Sequence, residues 1–131
     1  MLPIFNQQGL ATAWLKDELI YDLKGTPQAF LKGENVINYS GIHCGFMKNG
    51  FFRDHEGNIT AFIKGATGGP MIPPAAVPPF APIPAVAPIK PAAPIPPAAA
   101  MPSFLWSKLP WDAFIEALKR PVPPRPPSNK L

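Results

Sequence analysis

The sequence predicts a mainly β fold: four tandem 16-residue β-hairpin repeats in a pseudo-four-fold meander, followed by a polyproline II arm and one short C-terminal α-helix. Three observations carry that expectation. Gly9, Gly25, Gly41 and Gly57 recur at a constant step, and Trp14, Phe30, Phe46 and Phe62 recur at the same step. Thirteen of the 33 residues from Pro70 to Pro102 are proline. Trp111, Phe114, Ile115 and Leu118 stand at i, i+3, i+4 and i+7, the apolar stripe of an amphipathic helix. The chain accordingly divides into a four-repeat β domain (1–69), a Pro-rich arm (70–102), an amphipathic helix segment (103–120) and a Pro-rich basic tail (121–131).

Each repeat contains an Asn/Asp-x-x-Gly tetrad beginning at Asn6, Asp22, Asn38 or Asp54, which suits a type I turn with Asn or Asp at its first position and Gly at its fourth. Residues of strand character precede each turn: Ile4-Phe5, Ile20-Tyr21, Val36-Ile37 and Phe52-Arg53. Longer strands with apolar ends follow it, and the repeats join through Lys16-Asp17-Glu18, Lys32-Gly33-Glu34-Asn35 and Lys48-Asn49-Gly50, of which Asn-Gly is the strongest hairpin signal. Alternation along the second strand places an aromatic ring of residues (Trp14, Phe30, Phe46, Phe62) on one face and an aliphatic ring (Leu15, Leu31, Met47, Ile63) on the other. Either ring can fill the centre of a four-fold arrangement. The other then needs cover from elsewhere in the chain or from a second chain.

Proline at this density excludes helix and sheet interior from the arm and favours polyproline II, at three residues per turn. Read with that period, Met71, Val77, Phe80, Ile83, Val86, Ile89, Ile95 and Met101 share one stripe. A straight polyproline II arm of this length spans about 100 Å, whereas a domain of 69 residues has a radius of gyration of about 11 Å. The arm must therefore fold back more than once or pack against the arms of other copies. On this reading Ile83→Asp is damaging and Ala87→Asp, on the next face, is milder.

The C-terminal stripe begins after Pro110, which suits a first helical turn, and is expected to stop at Pro121. A helix of about ten residues is marginal alone, so its stripe must dock on this protein, a copy or a partner. Glu116 and Arg120 form an i, i+4 pair, and the tail holds Arg120-x-x-Pro123-x-x-Pro126, a low-information match to the form that Src-homology-3 type domains read.

Chemistry-bearing residues are sparse. His43, Cys44 and His55 are the soft metal ligands of the chain, too few and too irregularly spaced for structural zinc, and no catalytic constellation or cofactor motif accompanies them. Lys16, Lys32, Lys48 and Lys64 form a pseudo-symmetric set in which Asp17, Glu18 and Glu34 offset most of the charge. The net charge of +4 arises downstream of the repeats and is diffuse, which argues against nucleic acid, since phosphate binding calls for a clustered positive face. Neither a signal peptide nor a membrane anchor is recognisable, and a lone cysteine fits an intracellular chain.

Four tandem repeats of this form, ending FIKGATGGP and followed by a Pro-rich stretch and a tryptophan-bearing C-terminal segment, resemble the bacterial four-fold beta flower protein family. The resemblance covers nearly the whole chain. It implies β petals closed around a pseudo-four-fold axis, with chains joined into larger assemblies, and it implies no activity. The expectation is a non-enzymatic structural or interaction protein, without cofactor or metal, that forms homo-oligomers through its arm and apolar rings. The assembly residues expected are Val77, Phe80, Ile83, Val86, Ile89, Ile95, Trp111, Phe114, Ile115 and Leu118. The alternative is an adaptor presenting the arm, helix or tail to a separate protein partner.

Overall fold

The computed structural model describes residues 1–117. Eight antiparallel strands, β1 (Leu2–Phe5), β2 (Ala11–Lys16), β3 (Leu19–Tyr21), β4 (Pro27–Lys32), β5 (Asn35–Asn38), β6 (His43–Lys48), β7 (Phe51–Arg53) and β8 (Ile59–Ile63), pair in sequence order. The meander closes into a barrel where β1 meets β8, with Ile4 opposite Ile63 and Phe5 opposite Phe62. Closure removes the exposed sheet edges that an open meander of short strands would leave.

Each repeat is one petal, and its turn follows from the Asn/Asp-x-x-Gly phrase. The glycine N–H donates to the Asn or Asp carbonyl at 2.9 Å in the first petal and 3.1 Å in the fourth. The Asn or Asp side chain then accepts two further backbone N–H groups, as Asn6 Oδ1 does from Gln8 and Leu10 at 2.9 and 3.0 Å. Asp22, Asn38 and Asp54 repeat that geometry, so the five residues of each turn, as from Asn6 to Leu10, are fixed by local bonds alone. The register slips once per petal, leaving Thr12, Gln28, Cys44 and Thr60 as bulge residues. A bulge bends and twists the strand, which turns the petals toward closure. At the opposite end, two-residue turns join the petals at Asp17-Glu18, Gly33-Glu34 and Asn49-Gly50.

The aliphatic ring faces inward and the aromatic ring outward, which periodicity alone left open. Ile4, Ile20, Val36 and Phe52 from the odd strands meet the small residues Ala13, Ala29 and Ala61 from the even ones. Leu15, Leu31, Met47 and Ile63 pack beneath them. Such pairing of large with small residues fills a narrow eight-stranded interior. In the third petal the small position is Gly45, because a Cβ there would overlap the Phe114 ring and the Arg53 carbonyl.

The helix α1 (Trp111–Glu116) enters this core from the end that carries the Asn/Asp turns. Trp111, Phe114 and Ile115 join the barrel cluster, and Trp111 meets Phe52 edge to face at 5.3 Å. Asn38 Nδ2 donates to the carbonyls of Ile115 and Glu116 at 3.1 and 2.9 Å, and the Cys44 thiol donates to Ile115 at 3.3 Å. These bonds satisfy carbonyls that the helix end leaves open. The helix stops earlier than Pro121 suggested, because Ala117 adopts a left-handed conformation at φ 59°. Leu118, the Glu116–Arg120 pair and the Arg/Pro motif of the tail lie outside the described residues.

Candidate functional site

The arm carries neither helix nor strand, and it runs as a strap past all four petals. A Cβ built on Gly9 would overlap the Pro74 carbonyl, and the same holds for Gly25 with Ile83 and Gly57 with Met101. The Ala76 N–H donates to Gly9 O at 2.8 Å, Ala85 to Gly25 O at 2.9 Å and Ser103 to Gly57 O at 3.2 Å. The docking positions Ala76, Ala85, Pro94 and Ser103 are therefore spaced by nine residues. Nine is a multiple of the three-residue polyproline II period, so a chain in that conformation presents one face to every petal.

The third petal breaks the ladder for a covalent reason. Its docking residue is Pro94, which has no N–H to donate. Correspondingly, a Cβ on Gly41 would meet nothing closer than Pro91 Cβ at 3.7 Å. The strap stands off there, although the Gly41 backbone, at φ 82°, matches its three counterparts.

The strap and the segment after it cover the outward face of the barrel. Ile72 and Trp106 pack on the cluster of Phe5, Phe51, Ile59 and Phe62, and the Lys90 ammonium lies 5.3 Å from the centre of the Phe30 ring. After the strap, residues 103–107 run beside the start of β8: Ile59 N–H donates to Leu105 O and Ser107 N–H to Ile59 O, at 2.9 and 2.7 Å. Arg53 closes this junction. Its guanidinium donates to Gly57 O, Ser103 O and Gly68 O at 2.8, 2.7 and 3.2 Å, and burial lowers its pKa from the ordinary value. The other petals hold Phe5, Tyr21 and Ile37 at that position; the fourth alone must clamp both ends of the strap.

What the strap leaves uncovered is its own apolar stripe. Met71, Val77, Phe80, Ile83, Val86, Ile89, Ile95 and Met101 are between 87% and 100% exposed. The expectation that the arm either folds back on itself or packs on other arms omitted this path, a curve around the barrel with the large side chains outward. Apart from Ile72, the inner positions include small or ring-shaped residues instead, among them Pro73, Pro82, Pro84, Ala87 and Pro94, all half-buried.

Of the ten residues expected to form the assembly surface, the structure keeps six together on this stripe: Val77, Phe80, Ile83, Val86, Ile89 and Ile95. Trp111, Phe114 and Ile115 do not belong to it. They are 0–4% exposed inside the chain's own barrel, because closing eight short strands leaves a mouth that only an apolar plug can fill. Leu118 lies outside the described residues. Sequence reasoning missed the docking residues Ala76, Ala85 and Ser103. Their signal was the recurrence of Ala76-Val77, Ala85-Val86, Pro94-Ile95 and Ser103-Phe104, hidden because nine is a multiple of the three-residue period.

The remaining candidates fall on different faces. The His43 Nε2–H donates to Asn35 Oδ1 at 2.9 Å, which leaves His43 Nδ1 to accept from His55 Nε2–H at 2.9 Å. Both imidazoles pack against Phe46 on the outer wall, whereas the Cys44 thiol is buried in the core. Among the described residues, no group of three or more His, Cys, Asp or Glu is arranged to hold a metal ion, and no helix is long and apolar enough to cross a membrane. Lys16, Lys32 and Lys48 end their strands at the mouth opposite α1, with Lys64 just past β8, and all are exposed.

Four pseudo-equivalent hairpin petals closed into one barrel and bound by a strap define an internally symmetric β protein of the flower type. Comparison with known families matches residues 2–115 to the 4-fold beta flower protein family, and the chain belongs to it. No curated protein and no solved structure matches the chain.

Proposed function

We propose that this is a non-enzymatic assembly protein whose copies associate through the apolar stripe of the strap. The observation that carries the reading is the near-complete exposure of eight large apolar side chains on a segment anchored to a closed barrel. At roughly 1.5 to 3 kcal/mol per side chain, covering them offers about 12 to 24 kcal/mol and an apolar area of about 500 to 1,000 Å² per chain. Soluble monomers rarely expose contiguous apolar patches beyond about 300 to 600 Å². The association cost is of order 4 to 15 kcal/mol, so covering even part of the stripe competes with it. The strap is already ordered by its glycine contacts, which keeps that cost low. Because it passes all four petals, one pairwise contact covers only part of it, and copies can engage on more than one side.

Size-exclusion chromatography with light scattering on the full chain at low micromolar concentration tests the reading. The expected result is a mass of more than one chain, reduced by Ile83→Asp without loss of the folded circular dichroism spectrum. Ala87→Asp acts differently, because Ala87 is on the half-buried side of the strap; it lowers the melting temperature. A clean single-chain mass that resists concentration would contradict self-assembly and transfer the stripe to a separate protein partner.

A further inference from the structure

The helix plug is one-sided, and the internal symmetry of the barrel shows what chemistry its other side offers. In the third petal, Asn38 Nδ2 and the Cys44 thiol donate to the carbonyl oxygens of Ile115 and Glu116. Two repeats earlier, Asn6 and Thr12 hold the same positions, the turn asparagine and the bulge residue. The helix makes its main contacts with β6 and β8, and beside the first petal there is a cavity of about 340 Å³ that Asn6 and Thr12 both line. Its far wall is the segment from Trp106 to Asp112.

Trp111 gives the cavity a spectroscopic reporter. The Trp111 indole N–H is buried with no hydrogen-bond partner, and Trp111 lines the same cavity. The Nε1 atom itself lies beneath the surface, so Trp111 serves as a reporter on the wall, and the donor-bearing side chains that line the cavity are those of Asn6 and Thr12. Asn6 uses its Oδ1 for the turn, which leaves its Nδ2 as a donor, as in Asn38. Lys108 stands on the lining and adds a positive charge, with Asp112 as the opposing carboxylate. The volume is at the small end of ligand sites, about 300 to 1,000 Å³.

We infer that this cavity binds a small carboxylate-bearing molecule, whose oxygens take the place that the Ile115 and Glu116 carbonyls take at the third petal. The site is distinct from the strap and does not depend on assembly.

The test uses the full chain, with N-acetylglycine as the carboxylate probe and N-acetylglycinamide as its neutral counterpart, followed through the indole N–H resonance of Trp111. The expected result is saturable binding of the carboxylate below about 10 mM, at least about tenfold tighter than the amide. Asn6→Asp is the informative variant. Asp22 and Asp54 make the same turn bonds in their own petals, so the turn survives, while the donor amide becomes a repelling carboxylate. Binding should weaken by at least about tenfold with the melting temperature unchanged. Thr12→Val should weaken it in the same direction. Equal affinity for the two probes, no saturation in the parent, or undiminished binding by a folded Asn6→Asp chain would each overturn the inference.

Discussion

The four turn glycines give a test in which pseudo-symmetry and its one breach predict different numbers. Gly9, Gly25, Gly41 and Gly57 have φ of 78°, 92°, 82° and 85°, so alanine at any of them takes a left-handed conformation costing about 1 to 2 kcal/mol. At Gly9, Gly25 and Gly57 the new Cβ also overlaps an arm carbonyl. The strap must then move away and give up a backbone hydrogen bond worth about 0.5 to 1.5 kcal/mol. Gly41→Ala should therefore cost about 1 to 2 kcal/mol, and each of the other three about 1.5 to 3.5 kcal/mol. Urea unfolding of the four full-length variants at one protein concentration measures this, the fixed concentration being needed because association shifts apparent stability. A Gly41→Ala chain as destabilised as the other three, or all four equally mild, would refute the argument that the strap is docked at three petals and stands off at one.

Arg53→Leu should cost about 2 to 4 kcal/mol, read by the same unfolding assay, since it removes the guanidinium donor from the Ser103 and Gly68 carbonyls and leaves Gly57 O with the Ser103 N–H alone, while an apolar residue fits the position in other petals. Asp17→Asn combined with Glu18→Gly should stabilise the chain by about 1 kcal/mol, because both native residues sit at positive φ, 52° and 66°, in a turn that Asn-Gly prefers; a lower melting temperature would contradict it. Tyr39 has its phenol pKa raised above 10.0, first by burial and then by Tyr21. Its contribution to stability is therefore complete below about pH 10 and declines as pH rises through the raised value, and Tyr39→Phe should flatten that alkaline decline.

The barrel was legible because its determinants are local. The Asn6, Asp22, Asn38 and Asp54 turns are closed by bonds within five residues, and a phrase repeated four times specifies four copies of one hairpin. The orientation of the two rings was not legible, since Trp14 and Leu15 are both apolar and the choice depends on what covers the outside. That cover is the strap, whose path is set by contacts between residues such as Ala76 and Gly9, far apart in sequence. The stripe of Phe80, Ile83 and Val86 could be read as a set, yet its direction could not, because polyproline II periodicity separates faces without saying which is inner. The helix stripe was clear and its destination was not: Gly45, in the place of three alanines, was the sign that Phe114 enters the barrel.

Sedimentation velocity across a concentration series, comparing the parent with a Phe80→Asp, Ile89→Asp double variant, decides whether copies associate through the stripe. Both side chains are almost fully exposed on the single chain, so the substitutions leave the barrel and its docked strap intact. The parent should sediment as an oligomer and the variant as one chain with the same melting temperature. Identical sedimentation of the two, whether both associate or both remain single chains, would contradict it.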